Sequence, residues 1–207
     1  MAAALFPGKT SLIESLNRLR PRIMPIEDLI AAVPAGARVL DIGCGAGLFL
    51  GLLAAAGRTQ DGVGFDTSKD AIALAQSMQT RLPTGHRIRF ERLSVDDPWP
   101  EGTFDAVSLI DVMHHIPRKA QIGVLEMAVG KLRPGGRLIY KDMADRPFLM
   151  AAANRLHDLV IARDWIEYLP LETVRGTLAE MGFTVIEERS ARRLWYMHEM
   201  LVMEAPA

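Results

Sequence analysis

The residues with the clearest chemical purpose form one nonapeptide, Val39-Leu40-Asp41-Ile42-Gly43-Cys44-Gly45-Ala46-Gly47. An apolar run leads into a glycine-rich turn, and a Leu- and Ala-rich stretch follows. The expected order is a buried strand, a tight turn and a helix. The glycines admit positive φ and let a ligand approach the backbone. The helix N-terminus behind them offers free N–H groups and partial positive charge to a carboxylate or phosphate. The spacing is G-x-G-x-G; the dinucleotide fingerprint G-x-G-x-x-G would need a glycine where Leu48 stands. Asp41 falls within the turn, where it would repel a pyrophosphate and suit an ammonium group. The implied ligand therefore carries a cationic and an anionic end and is not a diphosphate. The alternative is a tight strand-to-helix turn with no ligand.

The elements that must position this turn alternate in type. Strands are expected at Ala37 to Ile42, Gly62 to Phe65, Arg87 to Leu93, Phe104 to Ile110 and Arg137 to Tyr140. Helices are expected at 9 to 20, 26 to 33, Leu48 to Ala56, Lys69 to Arg81, Lys119 to Leu132, Arg146 to Arg163 and Leu171 to Met181, with Asp145 capping the long one and Gly182 ending the last. Such alternation predicts βαβ units with right-handed crossovers and a parallel sheet covered on both faces. The C-terminal stretch differs. Phe183 to Glu188 and Met197 to Met203 look like two strands joined by a short basic turn carrying Arg189, Arg192 and Arg193, which favours antiparallel pairing. The fold class expected is α/β, Rossmann-like, a mostly parallel seven-stranded sheet with helices on both faces and an antiparallel C-terminal hairpin. Residues 1–36 read as a helical arm and 37–207 as the main body of one compact unit.

Composition bounds the function. The chain has 207 residues, 49% hydrophobic and 24% charged, with a net charge of -1, so no strongly basic body tracks phosphates and a nucleic-acid partner is not expected. One cysteine, Cys44, excludes a disulfide framework within the chain and favours a reducing compartment. The longest near-apolar run, Ala46 to Gly57, is well short of the ~20 residues of a membrane span. The first ten residues lack the pattern of a signal peptide, so a cytoplasmic location is expected. Gly8-Lys9-Thr10 echoes a phosphate-binding loop, but Ala3 replaces its first glycine and no strand precedes it. Asp111, His114, His115 and Asp142 do not have the spacing of a zinc site, and adjacent histidines after a strand should point to opposite sides, so no metal is expected.

The nonapeptide resembles the first motif of the class I S-adenosylmethionine-dependent methyltransferases. The likeness extends over roughly residues 37 to 142, through Phe104-Asp105-Ala106-Val107 and Leu132-Arg133-Pro134-Gly135-Gly136. It implies that Asp41, Gly43, Cys44, Gly45 and Gly47 hold the methionyl part of the cofactor S-adenosyl-L-methionine. Asp66, ending the second strand, would accept the ribose hydroxyls, with Thr67 beside it; helix capping is the competing role for Asp66. The adenine would be read after the third strand, by Leu93 and Ser94 or, with a shifted loop, by Asp96. A solvated loop is the alternative for Asp96 and Asp97.

Methyl transfer from a sulfonium is an in-line displacement, and holding both reactants in line accounts for ~7–11 kcal/mol of barrier. A base is needed only when the acceptor must lose a proton. Asp111, His114, His115, Lys141 and Asp142 lie where the fourth and fifth strands end. His114 is the candidate base and Asp111 a second catalytic candidate that also belongs with the cofactor set; lining the pocket without chemistry is the other reading of His114. The arm and the helix from Arg146 are expected to cover the crevice with Leu5, Phe6, Met24, Phe148, Met150, Trp165 and Tyr168, joined by Trp195 and Tyr196. These residues fit a pliable pocket for a small, fairly apolar acceptor, or simply a core. Competing functions are a non-catalytic cofactor-binding scaffold, a nicotinamide-dependent oxidoreductase, and a protein or RNA methyltransferase.

Overall fold

The computed structural model describes residues 2–6, 24–82, 84–143, 167–193 and 196–207. In chain order the elements are α1 (Ala2–Leu5), α2 (Ile26–Ala32), β1 (Arg38–Ile42), α3 (Leu48–Ala55), β2 (Asp61–Asp66), α4 (Lys69–Gln79), β3 (Arg87–Arg92), β4 (Phe104–Ile110), a 3-10 turn (Met113–His115), α5 (Arg118–Val129), β5 (Leu132–Met143), α6 (Leu171–Glu180), β6 (Thr184–Arg193) and β7 (Tyr196–Glu204). The seven strands form one sheet of order β3-β2-β1-β4-β5-β7-β6. β1 to β5 run parallel; β7 is antiparallel to both β5 and β6.

Strand residues alternate between two cores, as period-two side chains must. Val39, Ala106 and Ile139 face a core shared with α2, α3 and α4, while Leu40, Val107 and Leu138 face one shared with α5 and α6. This two-sided burial is why the central strands read as near-continuous apolar runs. α3 is buried from Leu48 to Ala54, so its outer side also needs a cover. Part of that cover is Leu5, which lies over Gly51, and the Arg81 guanidinium holds α1 by donating to the Leu5 carbonyl at 3.3 Å. Leu5, Phe6 and Met24 are thus core residues.

At the amino ends of the strands Arg38 is a hub. Its backbone N–H donates to Asp105 Oδ2 (2.7 Å), its guanidinium donates to the Thr103 carbonyl (2.9 Å), and it lies 4.4 Å above the Phe104 ring. Arg133 pairs with the other oxygen of Asp105.

Three details depart from the expected elements. β5 begins at Leu132, and Pro134-Gly135-Gly136 forms an irregularity inside it, where the register against β4 shifts between Phe104 and Ala106. The hairpin strands are longer than expected, so Arg189, Arg192 and Arg193 lie within β6 and not in the turn. Asp41 lies in β1 itself. The helices expected at 9 to 20 and 146 to 163, with Phe148, Met150, Trp165 and Trp195, fall outside the described residues.

Candidate functional site

Parallel strands deliver their carboxyl ends to one side of the sheet, and there the chain makes its unusual turns. Gly43, Gly45 and Gly47 all have positive φ (68°, 53° and 75°). Their reasons differ. A Cβ on Gly43 would lie 2.3 Å from Val112 Cγ2, and one on Gly47 2.6 Å from Phe90 Cζ, so both glycines are demanded by packing as well as by backbone. A Cβ on Gly45 would meet nothing within 4 Å. The middle of the turn therefore faces open space, as a loop that admits a ligand must.

Two carboxylates frame the turn. Asp41 is buried and accepts from the Ser108 hydroxyl of β4 at 2.6 Å. Asp66 Oδ2 accepts from the Gly45 N–H at 2.9 Å and its Oδ1 from the Ser68 N–H at 2.8 Å, so it ties the turn to the end of β2. The cap of α4 is Ser68, whose hydroxyl accepts from the Ala71 N–H at 3.2 Å. The Cys44 side chain packs back against Gly64. Burial pushes the Cys44 thiol well above its ordinary range, and the Asp41 and Asp66 carboxylates add to the shift. Iodoacetamide at pH 7.5 is therefore expected to label Cys44 only after unfolding, because the protonated, buried thiol is a poor nucleophile. Burial raises Tyr140 likewise, with Asp142, Glu199 and Asp111 adding. Below the ordinary thiol value of about 8.5 both states are protonated and the contribution of Cys44 is complete; above it the unfolded chain ionises first and stability falls with rising pH.

Beyond β2 and β3 lies a cavity of about 240 Å³ lined by Thr67, Arg92, Leu93, Ser94 and Asp97. Thr67 and Ser94 of the expected set are there. Asp96 is not among its lining residues; Asp97 is, its Oδ2 accepting from the Ser94 N–H at 2.7 Å.

At the ends of β4 and β5 stand two pairs, one half-buried and one buried. Lys141 is fully buried and its ammonium meets Asp111 Oδ1, while the Asp111 N–H donates to the Lys141 carbonyl at 2.8 Å. Asp111 takes φ 53°, the one positive value among described non-glycine residues. His114 and Asp142 form the second pair, both about 95% buried or more, with Nδ1 and Oδ1 2.5 Å apart. Adjacent histidines were expected on opposite sides. In the 3-10 turn their ring centroids lie only 4.1 Å apart, although His114 is buried and His115 exposed. Residues of this turn step by about 120°, not the 180° of a strand, which is the physical reason.

Gln121 is a site-supporting residue that sequence reasoning missed. It is fully buried, and its amide nitrogen lies 3.0 Å from the Met113 carbonyl, 3.1 Å from that of Ile116 and 2.6 Å from that of Glu167. The Glu167 N–H in turn donates to the His114 carbonyl at 3.0 Å. The available signal was its register, since Val124, Leu125 and Ala128 follow it on the buried face of α5. Among the described residues no group of three or more His, Cys, Asp or Glu side chains is placed to hold a metal ion, and no helix is long and apolar enough to cross a membrane.

The strand order, the reversed β7 and the glycine turn after β1 define the Rossmann-like class of methyltransferase folds. A family model described as a methyltransferase domain matches residues 12–188, and the chain belongs to that family. It is 31% identical over 122 residues to the ubiquinone biosynthesis O-methyltransferase of Xanthomonas axonopodis pv. citri (strain 306), covering 58% of this chain and 48% of the relative. The same-named protein of Xylella fastidiosa (strain 9a5c) is 28% identical over 199 residues, 95% of this chain and 72% of the relative. Against the Xanthomonas axonopodis relative the match thus spans about half the relative's length. The crystal structure of magnesium protoporphyrin IX methyltransferase from Synechocystis PCC 6803 with bound SAH shares the fold, with a TM-score of 0.72 at 20% identity over 96% of this chain and 89% of that one.

Proposed function

We propose that the protein is an S-adenosyl-L-methionine-dependent methyltransferase acting on a small, fairly apolar organic acceptor. The observation that carries this reading is the open space above Gly45, in a turn whose other two glycines are closed by packing. Family membership supports it, as do the solved neighbour with bound SAH and the O-methyltransferase names of the relatives. In this reading the backbone of Gly43, Cys44, Gly45 and Gly47 cradles the methionyl part near Asp41. Asp66, with two oxygens already oriented by Gly45 and Ser68, takes the ribose hydroxyls, and Thr67 and Ser94 border the adenine. The cofactor supplies a methyl group on a sulfonium that leaves as a neutral thioether. The protein's own work is to orient the acceptor and keep water out. Residues 1–36 serve as an arm on the 37–207 body, supported by the seating of Leu5 over Gly51.

The reading is tested by calorimetric titration with S-adenosyl-L-methionine and with NAD. Saturable binding of the first alone is expected; binding of NAD alone would reverse the assignment. Asp66→Ala should weaken cofactor binding by ~1–3 kcal/mol, the cost of leaving its donors and the ribose hydroxyls without their acceptor. An unchanged affinity would place the ribose elsewhere.

A further inference from the structure

We infer that the protein has a second small-molecule site, for a flat ligand with a hydrogen-bond donor at one end and an anionic group at the other, and that filling it changes the affinity for S-adenosyl-L-methionine. The site is independent of the methyltransferase reading; the coupling rests on it. A cavity of about 420 Å³ lies between the loop 93–103 and the carboxyl end of α5. Small-molecule pockets span roughly 300–1,000 Å³, so it is large enough for one or two rings. Gly102 and Lys131, which line it, stand just before β4 and β5, on the side of the sheet away from the glycine turn. Its walls are mainly apolar: Pro98, the accessible edge of Trp99, and Met127, which is 45% exposed. A thioether adapts to a flat ring laid against it. Two charged groups of opposite sign complete the lining, Asp97 and Lys131. The Lys131 ammonium has three hydrogens and gives one to the Pro100 carbonyl at 3.0 Å. Asp97 accepts from the Ser94 N–H, which takes one of several acceptor positions on a carboxylate. A plain anion would suit Lys131 and be repelled by Asp97; a plain cation would meet the reverse. The lining therefore selects a molecule that offers an anionic group to Lys131 and a donor to Asp97.

The coupling follows from a shared wall. Asp97 lines this cavity and also the smaller one beside Thr67 and Ser94. Trp99 reaches the same region from below. Its ring packs on Phe65 with centroids 5.2 Å apart, and Phe65 immediately precedes Asp66. The indole N–H donates to the Val95 carbonyl at 3.1 Å, so the loop and the ring move together. A ligand that draws on Asp97 and leans on Trp99 thus acts on the segment that borders the proposed adenine position.

The probe for the test is 4-aminobenzoate, with benzoate and aniline as one-ended controls, titrated by NMR at pH 7.5. 4-Aminobenzoate should bind saturably with a Kd below ~1 mM, as a well-held ligand of its size does. Each control should bind at least about tenfold more weakly, for want of one charge-assisted contact. Controls that bind as tightly as the probe, or no binding at all, overturn the site. Its position has a separate readout. In protein labelled with 5-fluorotryptophan, the fluorine resonance that Trp99→Phe removes should shift when 4-aminobenzoate is added. Met127→Glu, at an exposed position of α5, should leave the melting temperature unchanged and weaken the probe at least about tenfold, because its carboxylate opposes the anionic end. An unmoved Trp99 resonance or an unchanged affinity in Met127→Glu puts the probe elsewhere and overturns the site. For the coupling, the affinity for S-adenosyl-L-methionine with saturating 4-aminobenzoate should differ at least about threefold from that without it, and the cofactor should change the affinity for the probe by the same factor. In Met127→Glu the same probe concentration should have no such effect. Equal cofactor affinities in the wild-type protein overturn the coupling. A protein that binds 4-aminobenzoate as expected and fails to bind S-adenosyl-L-methionine overturns the methyltransferase reading and leaves the site standing.

Discussion

Asp111→Asn is expected to cost about 3–5 kcal/mol of stability, the range for leaving a buried charge without its partner. For a chain of this length the melting temperature should fall by about 6–20 °C. The cause lies in Lys141, which is fully buried with Asp111 as its ionic partner. Asparagine tolerates the left-handed backbone of position 111 and keeps an oxygen there, so the substitution isolates the charge. The double variant Asp111→Asn with Lys141→Met should recover more than half of the loss, because the uncompensated ammonium is gone. Thermal melts of the three proteins check this. A single variant as stable as the parent would mean that Lys141 finds its compensation elsewhere.

The second large effect separates two glycines of one turn. Gly47→Ala should destabilise by about 2–5 kcal/mol: about 1–2 for the left-handed backbone and about 1–3 for overpacking against Phe90. Gly45→Ala shares the first cost and not the second, so it should lose only about 1–2 kcal/mol. Its methyl group enters the space assigned to the cofactor, however, and binding should weaken at least about tenfold. Melting and calorimetric titration of both variants give the comparison. A Gly45→Ala protein of normal affinity would remove the turn from the binding site.

β1, β2 and β4 are legible because strands buried on both faces are short apolar runs, β3 because buried Ile88 and Phe90 alternate with exposed arginines, and glycines mark where β1 and its helix meet. β5 was shortened because Pro134-Gly135-Gly136 has the composition of a turn yet sits in a bulged strand. β6 was shortened because most of its residues are exposed, so nothing forces an apolar alternation on Glu187 to Arg193. In the site, residue types were legible and partnerships were not. Asp41 meets Ser108, Asp111 meets Lys141 and His114 meets Asp142 only because parallel pairing and the turn after β4 bring distant segments together. Gln121 was hidden for another reason: a glutamine on an amphipathic helix usually faces water, and only its neighbours' register shows otherwise.

The Arg38 hub stands at the amino ends of the strands, a sheet's length from the turns of the proposed site. Arg38, Asp105 and Arg133 tie together the starts of β1, β4 and β5 without touching any of those turns. Ties between strands thus stand at the pole opposite the proposed site as well as within it. Substitutions at the Arg38 pole can therefore adjust heat tolerance without altering the proposed site, whereas changes to Asp111, Lys141 or Gly47 alter both at once.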